Sequence, residues 1–454
     1  MKQNNQRIHL LDQTPVPKAL LALGLPTMLG MLINALYHLA DTYFVGGLGT
    51  LSVGAVSVVY PLGQAVVGLG LLFGNGAASY LSRLLGREDR ERADQVASTA
   101  LSGSLITGAL VILCCLLFLR PLLRLLGAGE QVLPYAVTYT SIYLPFSLCN
   151  VFNVTMNNVV SSEGAAKTTM KVLISGAALN VLLDPICIYC LHWGISGAAI
   201  ATAVSQLFST LLYLGYIRSK KSVFHFRLRD CRFSREILSE ILKIGVPTLV
   251  FQLLTSLSMA MLNGKAGEYG DSALAAMGVV TKIMSIGSLM VFGFLKGLQP
   301  LAGYSYGAGN FNRLRQAVRL SLLWSTVACL LFGLGAALLA PVLMAQFTQS
   351  DGEMIRVGIT ALRANGIAFF CFGFCTVYSS LFLSLGKARL GFLLGACRQG
   401  FCFLPAILLL PIFWHLSGVL FAQPVADLLS SAITVPVALR FQKELNRAGS
   451  PLQK

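Results

Sequence analysis

Two aspartates lie inside long apolar runs of this 454-residue chain. Asp41 lies near the end of the run from Leu20 to Val45, and Asp184 lies in the run that covers residues 168–191. An unpaired carboxylate in an apolar environment is costly, so each aspartate needs a partner, a proton or water. We therefore take Asp41 and Asp184 as the first candidates for function.

Polar residues accompany both aspartates at helical spacing. Asn34, Tyr37 and Asp41 stand at i, i+3 and i+7, which places them on one face of a helix. Asn180 and Asp184 stand at i and i+4 and share a face in the same way. Each aspartate is thus the end of a polar stripe on an otherwise apolar helix.

The positions of these residues along their runs predict that they meet at a similar depth. Asp41 lies about 23 residues, and Asp184 about 16, beyond the cytoplasmic start of its run, and at 1.5 Å per residue their depths differ by only ~10 Å. Thr202 lies roughly 10 Å from the outer start of the following run. Carboxylate, amide and hydroxyl oxygens suit a proton or a hard cation such as Na⁺. We therefore predict a site for a proton or a hard cation at Asp41, Asn180, Asp184 and Thr202, with no cofactor and no metal other than Na⁺.

A second polar stripe, which contains Asn153 and Asn157, has two interpretations. With Asn34 and Tyr37, these residues either support the cation site or form hydrogen bonds between helices, which contribute about 1 kcal/mol or less each. Both interpretations stay open from sequence alone.

The second half of the chain offers three candidates for a substrate path, Lys296, Gln299 and Asp427. Lys296, like Lys282, could equally extend its amine along the helix toward the membrane surface. Asp427 could equally pair with Gln423 or with a neighbouring helix.

Composition identifies the elements that must position these residues. Hydrophobic residues make up 55% of the chain and charged residues 11%, against about a quarter charged in a typical soluble domain. The sequence therefore predicts an all-α polytopic membrane protein. Its apolar runs give twelve spans, near residues 18–45, 52–82, 95–118, 132–160, 168–191, 195–217, 237–263, 274–303, 315–344, 355–385, 390–414 and 417–440.

The basic residues that give the chain its net charge of +16 are placed so that they indicate its orientation in the membrane. Most of the 34 Lys and Arg residues fall in alternate loops, among them Arg83 to Arg92 and Arg218 to Lys243, and we also count Arg398 in this set. By the positive-inside rule, both termini are expected in the cytoplasm. This placement argues against nucleic acid as a partner and favours a bilayer.

The chain repeats itself at an offset of 221 residues. Gly24-x-Pro26-Thr27 returns as Gly245-x-Pro247-Thr248, and Ser196-Gly197 returns as Ser417-Gly418. An even number of spans in each repeat predicts two pseudo-symmetric six-helix lobes around a central cavity, a recurring plan of transporters. We place the N-terminal lobe at residues 1–217, a cytoplasmic linker at 218–236 and the C-terminal lobe at 237–454.

Two stretches resemble the multidrug and toxic compound extrusion (MATE) family. One is Gly297 to Gly309, and the other is Glu163-Gly164 followed by Asn180-x-x-x-Asp184-Pro185 and Gly197 to Ala203. The similarity extends from about Val16 to Arg440 and implies a secondary antiporter of the plasma membrane. Such a protein exports drug-like, often cationic organic molecules in exchange for H⁺ or Na⁺, and is not an enzyme.

The resemblance also implies a branch of the family. One branch binds its coupling cation in the N-terminal lobe, and Asp41, Asn180, Asp184 and Thr202 match its positions one by one. A second branch uses carboxylates in the seventh and tenth spans. Here the seventh span has acids only at its cytoplasmic start and the tenth only Glu353 at its outer start, so the chain departs from that pattern.

Two alternative functions remain at this stage. A lipid-linked precursor flippase of the same superfamily would favour a strongly cationic cavity, which the sequence does not suggest. An intramembrane aspartyl protease would use Asp41 and Asp184 as its catalytic pair, but it requires a Gly-x-Gly-Asp motif and Asp184 follows Val-Leu-Leu. We expect a monomer that acts on small organic molecules.

Overall fold

The computed structural model describes residues 2–219, 221–346 and 351–448, and these are almost entirely helical. In the membrane interior, helices satisfy every backbone N–H and C=O group within one segment, which explains why the apolar runs fold this way. The α-helices are α1 (Lys2–Asp12), α2 (Val16–Gly46), α3 (Thr50–Gly86), α4 (Arg90–Leu117), α5 (Leu119–Leu125), α6 (Leu133–Ser162), α7 (Ala166–Pro185), α8 (Gly194–Arg218), α9 (Arg235–Gly267), α10 (Asp271–Gly307), α11 (Phe311–Leu338), α12 (Ala340–Ala345), α13 (Gly352–Ser384), α14 (Ala388–Ala396) and α15 (Phe403–Ala448). Short π-helices at Ile186–Cys190 and Cys397–Phe401 follow α7 and α14, and a 3₁₀ turn lies at Leu228–Asp230.

Within the described residues, ten segments are long and apolar enough to cross a bilayer. The prediction of an all-α polytopic membrane protein is therefore confirmed. The last of these segments, Ala388–Arg447, contains a break at His415, whose φ of 48° and ψ of −131° are not helical. The 30-residue helix α6 is not among the ten, because its Tyr, Thr, Ser and Asn residues lower its hydropathy.

The predicted ninth span, residues 315–344, is wrong at its end. Helix α11 stops at Leu338, and the separate short helix α12 follows at Ala340–Ala345. Pro341 explains the break, because proline has no backbone N–H to continue the helix and suits the first turn of a new one.

The described chain divides into two compact units. The first contains residues up to Thr14 and Leu25–Leu249, and the second contains Pro15–Gly24 and Val250 onward. The chain therefore passes from one unit to the other inside α2 and again inside α9. Pro26 lies next to the first passage and Pro247 next to the second, and the 221-residue offset relates these two prolines. The predicted boundaries at 217 and 237 stay predictions.

Two glycines allow the start of each of these helices to approach a neighbour closely. In the first unit, a Cβ at Gly245 of α9 would overlap the backbone of Leu72 in α3. In the second unit, a Cβ at Gly297 of α10 would overlap the backbone of Gly24 in α2. The backbones are thus in direct contact at both places, as the small-residue contacts of membrane helices permit.

Candidate functional site

Helix α7 carries the most completely buried carboxylate of the predicted site. Asp184 has no exposed surface, and in the described part of the chain neither of its side-chain oxygens has a hydrogen-bond partner. Asn180, one turn earlier, is 1% exposed and approaches the hydroxyl of Thr202 on α8, with 3.5 Å between Nδ2 and Oγ1. The Oδ1 atom of Asn180 likewise has no partner among the described residues.

Helix α2 brings the second carboxylate to the same place. Asp41 lies close enough to Asp184 for their charges to interact, and its buried Oδ1 atom has no hydrogen-bond partner in the described chain. Three tyrosines, Tyr37 on α2 and Tyr139 and Tyr143 on α6, also lie within electrostatic range of Asp41. The structure therefore brings Asp41 and Asp184 together, although Tyr139 and Tyr143 are neighbours that sequence reasoning missed.

The turn after Asp184 fixes α7 to α2. The π-helix Ile186–Cys190 follows Pro185, and the hydroxyl of Tyr189 donates a hydrogen bond of 2.6 Å to the backbone oxygen of Phe44. Phe44 lies three residues after Asp41, so this bond positions one carboxylate relative to the other. No sequence signal identified Tyr189, because its partner is a backbone carbonyl 145 residues away.

The first turn of α8 packs against the same π-helix. A Cβ at Gly197 would overlap the backbone carbonyl of Cys187, so only glycine permits this approach. Thr202 follows on the same helix, five residues later. Gly197 therefore helps to set the distance between Thr202 and α7.

The arrangement favours the binding of a proton or a hard cation. Two interacting carboxylates and an amide oxygen present buried acceptor atoms, and buried polar atoms normally have a partner. In the described residues no group of three or more His, Cys, Asp or Glu side chains could hold a metal ion. The roles of Asp41, Asn180, Asp184 and Thr202 stay predictions.

The asparagines of α6 form hydrogen bonds to α8. The amide of Asn153 donates to the backbone and side-chain oxygens of Gln206 at 2.9 and 3.0 Å, and the Thr210 hydroxyl donates to Asn153 Oδ1 at 3.0 Å. Asn157 donates to the Tyr213 hydroxyl at 3.3 Å. These bonds favour the helix-connecting interpretation. Asn34 is half-buried on α2, three residues before Tyr37.

The three residues predicted for a substrate path lie in the second unit. Lys296 and Gln299 are half-buried on α10, and Asp427 is 3% exposed on α15. Asp427 forms an ion pair with Arg398 and accepts a further bond from Gln423. The sequence placed Arg398 among the loop residues, and this was wrong, because it belongs to the π-helix Cys397–Phe401 between two apolar helices. The assignment of these residues to a substrate path stays a prediction.

A buried glutamate forms a separate polar cluster in the first unit. Glu163, directly after α6, is 1% exposed and accepts hydrogen bonds from Arg7, Tyr216, Ser222 and the backbone N–H of Val223. Burial raises the pKa of Glu163, and the Arg7 guanidinium opposes this shift without cancelling it. Sequence reasoning used Glu163 only as a mark of family resemblance.

Comparisons with known proteins identify the family. The MatE profile matches residues 26–186 and 247–408, one segment in each sequence repeat. The "Multidrug export protein MepA" of Staphylococcus aureus (strain MSSA476) is 27% identical over 429 residues, which are 93% of each chain.

Two solved structures resemble the chain over nearly its whole length. One is described as the outward-facing conformation of a multidrug resistance MATE family transporter of the MOP superfamily, with a TM-score of 0.91 and 28% identity, and covers 97% of this chain and 98% of the other. The second is a MOP superfamily transporter from Pyrococcus furiosus, with a TM-score of 0.90, 28% identity and 98% coverage of both chains. The profile matches more than half of the chain, so the protein belongs to the MatE family of membrane transporters, as its sequence predicts, and is not an enzyme.

Proposed function

We propose that this protein is a cation-coupled antiporter that exports drug-like, often cationic organic molecules. The observation that carries the proposal is the state of Asp184, which is fully buried, lies near a second carboxylate and has no hydrogen-bond partner among the described residues. Such a group is stable only when a proton or a cation neutralises it. The similarity to a multidrug export protein supports the substrate class.

The coupling site is the one predicted in the N-terminal lobe, at Asp41, Asn180, Asp184 and Thr202. Its acceptor set of two carboxylates, an amide and a hydroxyl accommodates either H⁺ or Na⁺. The chain accordingly belongs to the branch of the family with an aspartate in the first span and Asn-x-x-x-Asp in the fifth.

The architecture is that of twelve spans in two six-helix lobes around a central cavity. The ten long apolar segments, the polar helix α6 and the break at His415 in the last segment support this number. The protein lies in the plasma membrane with both termini in the cytoplasm, as the distribution of basic residues indicates. It acts as a monomer.

Transport by the purified protein in liposomes tests the proposal. A pH gradient and a Na⁺ gradient are imposed separately, with ethidium as the cationic organic probe and protein-free liposomes as the control. We expect one of the two gradients to drive ethidium across the membrane in the direction opposite to the flow of the cation. Collapse of that gradient with an ionophore should stop the ethidium movement. Ethidium movement that neither gradient changes would contradict cation coupling.

A further inference from the structure

The second unit contains a buried ion pair that the proposed coupling site does not use. Arg398 Nε lies 2.8 Å from Asp427 Oδ1, and Arg398 Nη2 lies 3.5 Å from Oδ2. Gln423 Nε2 donates to the same Oδ1 at 2.7 Å. The guanidinium carbon of Arg398 also lies 4.4 Å from the centre of the Phe372 ring, a cation–π contact. Asp427 Oδ1 therefore accepts two short hydrogen bonds from its own protein, and Oδ2 has a long contact with Arg398.

This pair lies deep in the membrane. Arg398 follows the start of α14 at Ala388 by ten residues, or about 15 Å of helix, and Asp427 precedes the basic residue Arg440 by thirteen, or about 20 Å. Both residues therefore lie near the middle of a hydrocarbon core that is about 30 Å thick. Charges at this depth are rare and are generally functional.

The sequence repeat relates this pair to the proposed coupling site. The 221-residue offset that matches Ser196-Gly197 to Ser417-Gly418 also matches Thr202 to Gln423. The same offset matches Asn180 to Phe401, and Arg398 lies one helical turn before Phe401. The carboxylates themselves are not equivalent by this offset, since Asp184 matches Pro405 and Asp427 matches Gln206, and the two π-helices, Ile186–Cys190 and Cys397–Phe401, are ten residues out of register.

The two repeats thus place polar groups in corresponding regions but use different residues there. In the first, Asn180 and Thr202 face each other beside a carboxylate, Asp184, that has no hydrogen-bond partner in the described chain. In the second, Gln423 lies beside a carboxylate, Asp427, that a guanidinium neutralises. An arginine side chain does not lose its proton in proteins, and its covalent attachment to the chain keeps it near Asp427.

We propose that Asp427 is the acidic residue of a second cation site, in the corresponding region of the second repeat, in which the side chain of Arg398 permanently takes the place of the mobile cation. Arg398 thereby restricts cation uptake to the N-terminal half. This inference rests on the proposed function for its role in coupling, but the occupancy of Asp427 by Arg398 is testable by itself. Removal of Arg398 should convert Asp427 into a site for H⁺ or Na⁺.

The groups around Asp427 allow a newly bound cation to be assigned to this residue. Among the residues that the structure describes, the titratable groups within its electrostatic range besides Arg398 are the thiols of Cys329 on α11 and of Cys371 and Cys375 on α13. Neutral thiols do not replace a guanidinium as a counter-charge. A cation gained after removal of Arg398 is therefore assigned to Asp427.

The experiment uses the full chain with Asp41→Asn and Asp184→Asn, so that the proposed coupling site contributes nothing. Binding of ²²Na⁺ and the infrared band of protonated carboxyl groups are measured during a pH titration, with and without Arg398→Gln. We expect Arg398→Gln to add one site per protein, for a proton or for ²²Na⁺, and a further Asp427→Asn to remove it. Arg398→Lys, which keeps the charge, and Arg389→Gln, at an exposed arginine of the preceding helix α14, should add none.

A folded Arg398→Gln protein that gains neither a proton nor ²²Na⁺ would overturn the inference. If that variant does not fold, the charge-neutral pair Arg398→Gln/Asp427→Asn is compared with the wild type, because replacement of a whole buried pair is tolerated better than loss of one partner. The double variant should bind as many cations per protein as the wild type does, and a smaller number would overturn the inference. Failure of the proposed function is seen separately, as unchanged coupling in Asp184→Asn alone.

Discussion

The buried oxygens around Asp184 differ in what each contributes to a cation. Two carboxylates supply charge, whereas Asn180 and Thr202 supply neutral oxygens, and the 3.5 Å contact between them is long for a hydrogen bond. This geometry leaves the Thr202 hydroxyl available to a ligand. The carboxylates should therefore decide whether coupling occurs, and Thr202 should adjust the affinity of the site for the cation.

The variant Thr202→Val tests the role of the hydroxyl. Valine keeps the shape of the side chain, so we expect a folded protein with an unchanged maximal transport rate. The cation concentration for half-maximal transport should rise roughly fivefold, since a lost hydrogen bond costs about 1 kcal/mol. Thr138→Val is the matched control, because the Thr138 hydroxyl is exposed and bonds only within its own helix. An unchanged half-maximal concentration in Thr202→Val would remove Thr202 from the site.

Glu163 should make the stability of the protein depend on pH. Because burial raises its pKa above the ordinary value of 4.5, the folded protein holds the proton more tightly than the unfolded chain does. This stabilisation is complete below the unfolded pKa and is lost as the pH rises through the folded pKa. The melting temperature in detergent should accordingly fall over this range in the wild type and change less in Glu163→Gln.

The control for Glu163 is Glu130→Gln, since Glu130 is exposed and its pair with Arg124 lies at the surface. Its pH profile should match that of the wild type. Parallel profiles for the wild type and Glu163→Gln would show that Glu163 has the same pKa in the folded and unfolded protein.

At the scale of elements, α2 and α9 are the helices that both units share. Each begins in one unit and ends in the other, and each carries a proline next to the passage. A proline removes one backbone hydrogen bond and bends a helix, so these positions are natural points of bending. Cation binding at Asp41, farther along α2, would then bias the bend of the same helix.

The close contacts at the start of these helices should be sensitive to a single methyl group. We expect Gly245→Ala and Gly297→Ala to lower the free energy of unfolding by about 1–3 kcal/mol, because the added Cβ overlaps backbone atoms that cannot move aside. Gly264→Ala on α9 and Gly278→Ala on α10 are the controls, since nothing lies within 4 Å of either Cβ. Thermal unfolding in detergent is the measurement, and Gly245→Ala and Gly297→Ala should melt at lower temperatures than the two controls. Equal melting temperatures in all four variants would contradict the contacts.

Some elements were predictable and others were not, for identifiable reasons. Long apolar runs predict the helices within a few residues, because length and composition decide them. The end of α11 escaped prediction because the apolar run continues past Pro341, and the π-helices escaped because they interrupt no apolar pattern. At the site, spacing predicted the shared face of Asn180 and Asp184. The contacts of Tyr189 and Glu163 depend on distant partners that no local pattern reveals.

At the scale of the whole molecule, two sequence repeats carry different polar centres. The first unit contains two carboxylates whose buried oxygens lack partners in the described chain, and the second contains a carboxylate neutralised by Arg398. This asymmetry supports the proposal that only the first half carries the coupling site. We predict that substrate release and cation binding are linked through one two-state element, with a linkage that acts in both directions.

The most direct test of this coupling is gradient-driven efflux by Asp41→Asn, Asp184→Asn and the double variant in liposomes, with equal amounts of folded protein. Asparagine keeps the volume of aspartate and removes its charge, so each variant should fold and still bind substrate at equilibrium. Efflux driven by the ion gradient should be lost in both single variants, and the double variant should be little worse, because the two residues act on one site. Asp271→Asn, at an exposed aspartate, should retain efflux. Normal gradient-driven efflux by Asp41→Asn would contradict a coupling site at Asp41 and Asp184.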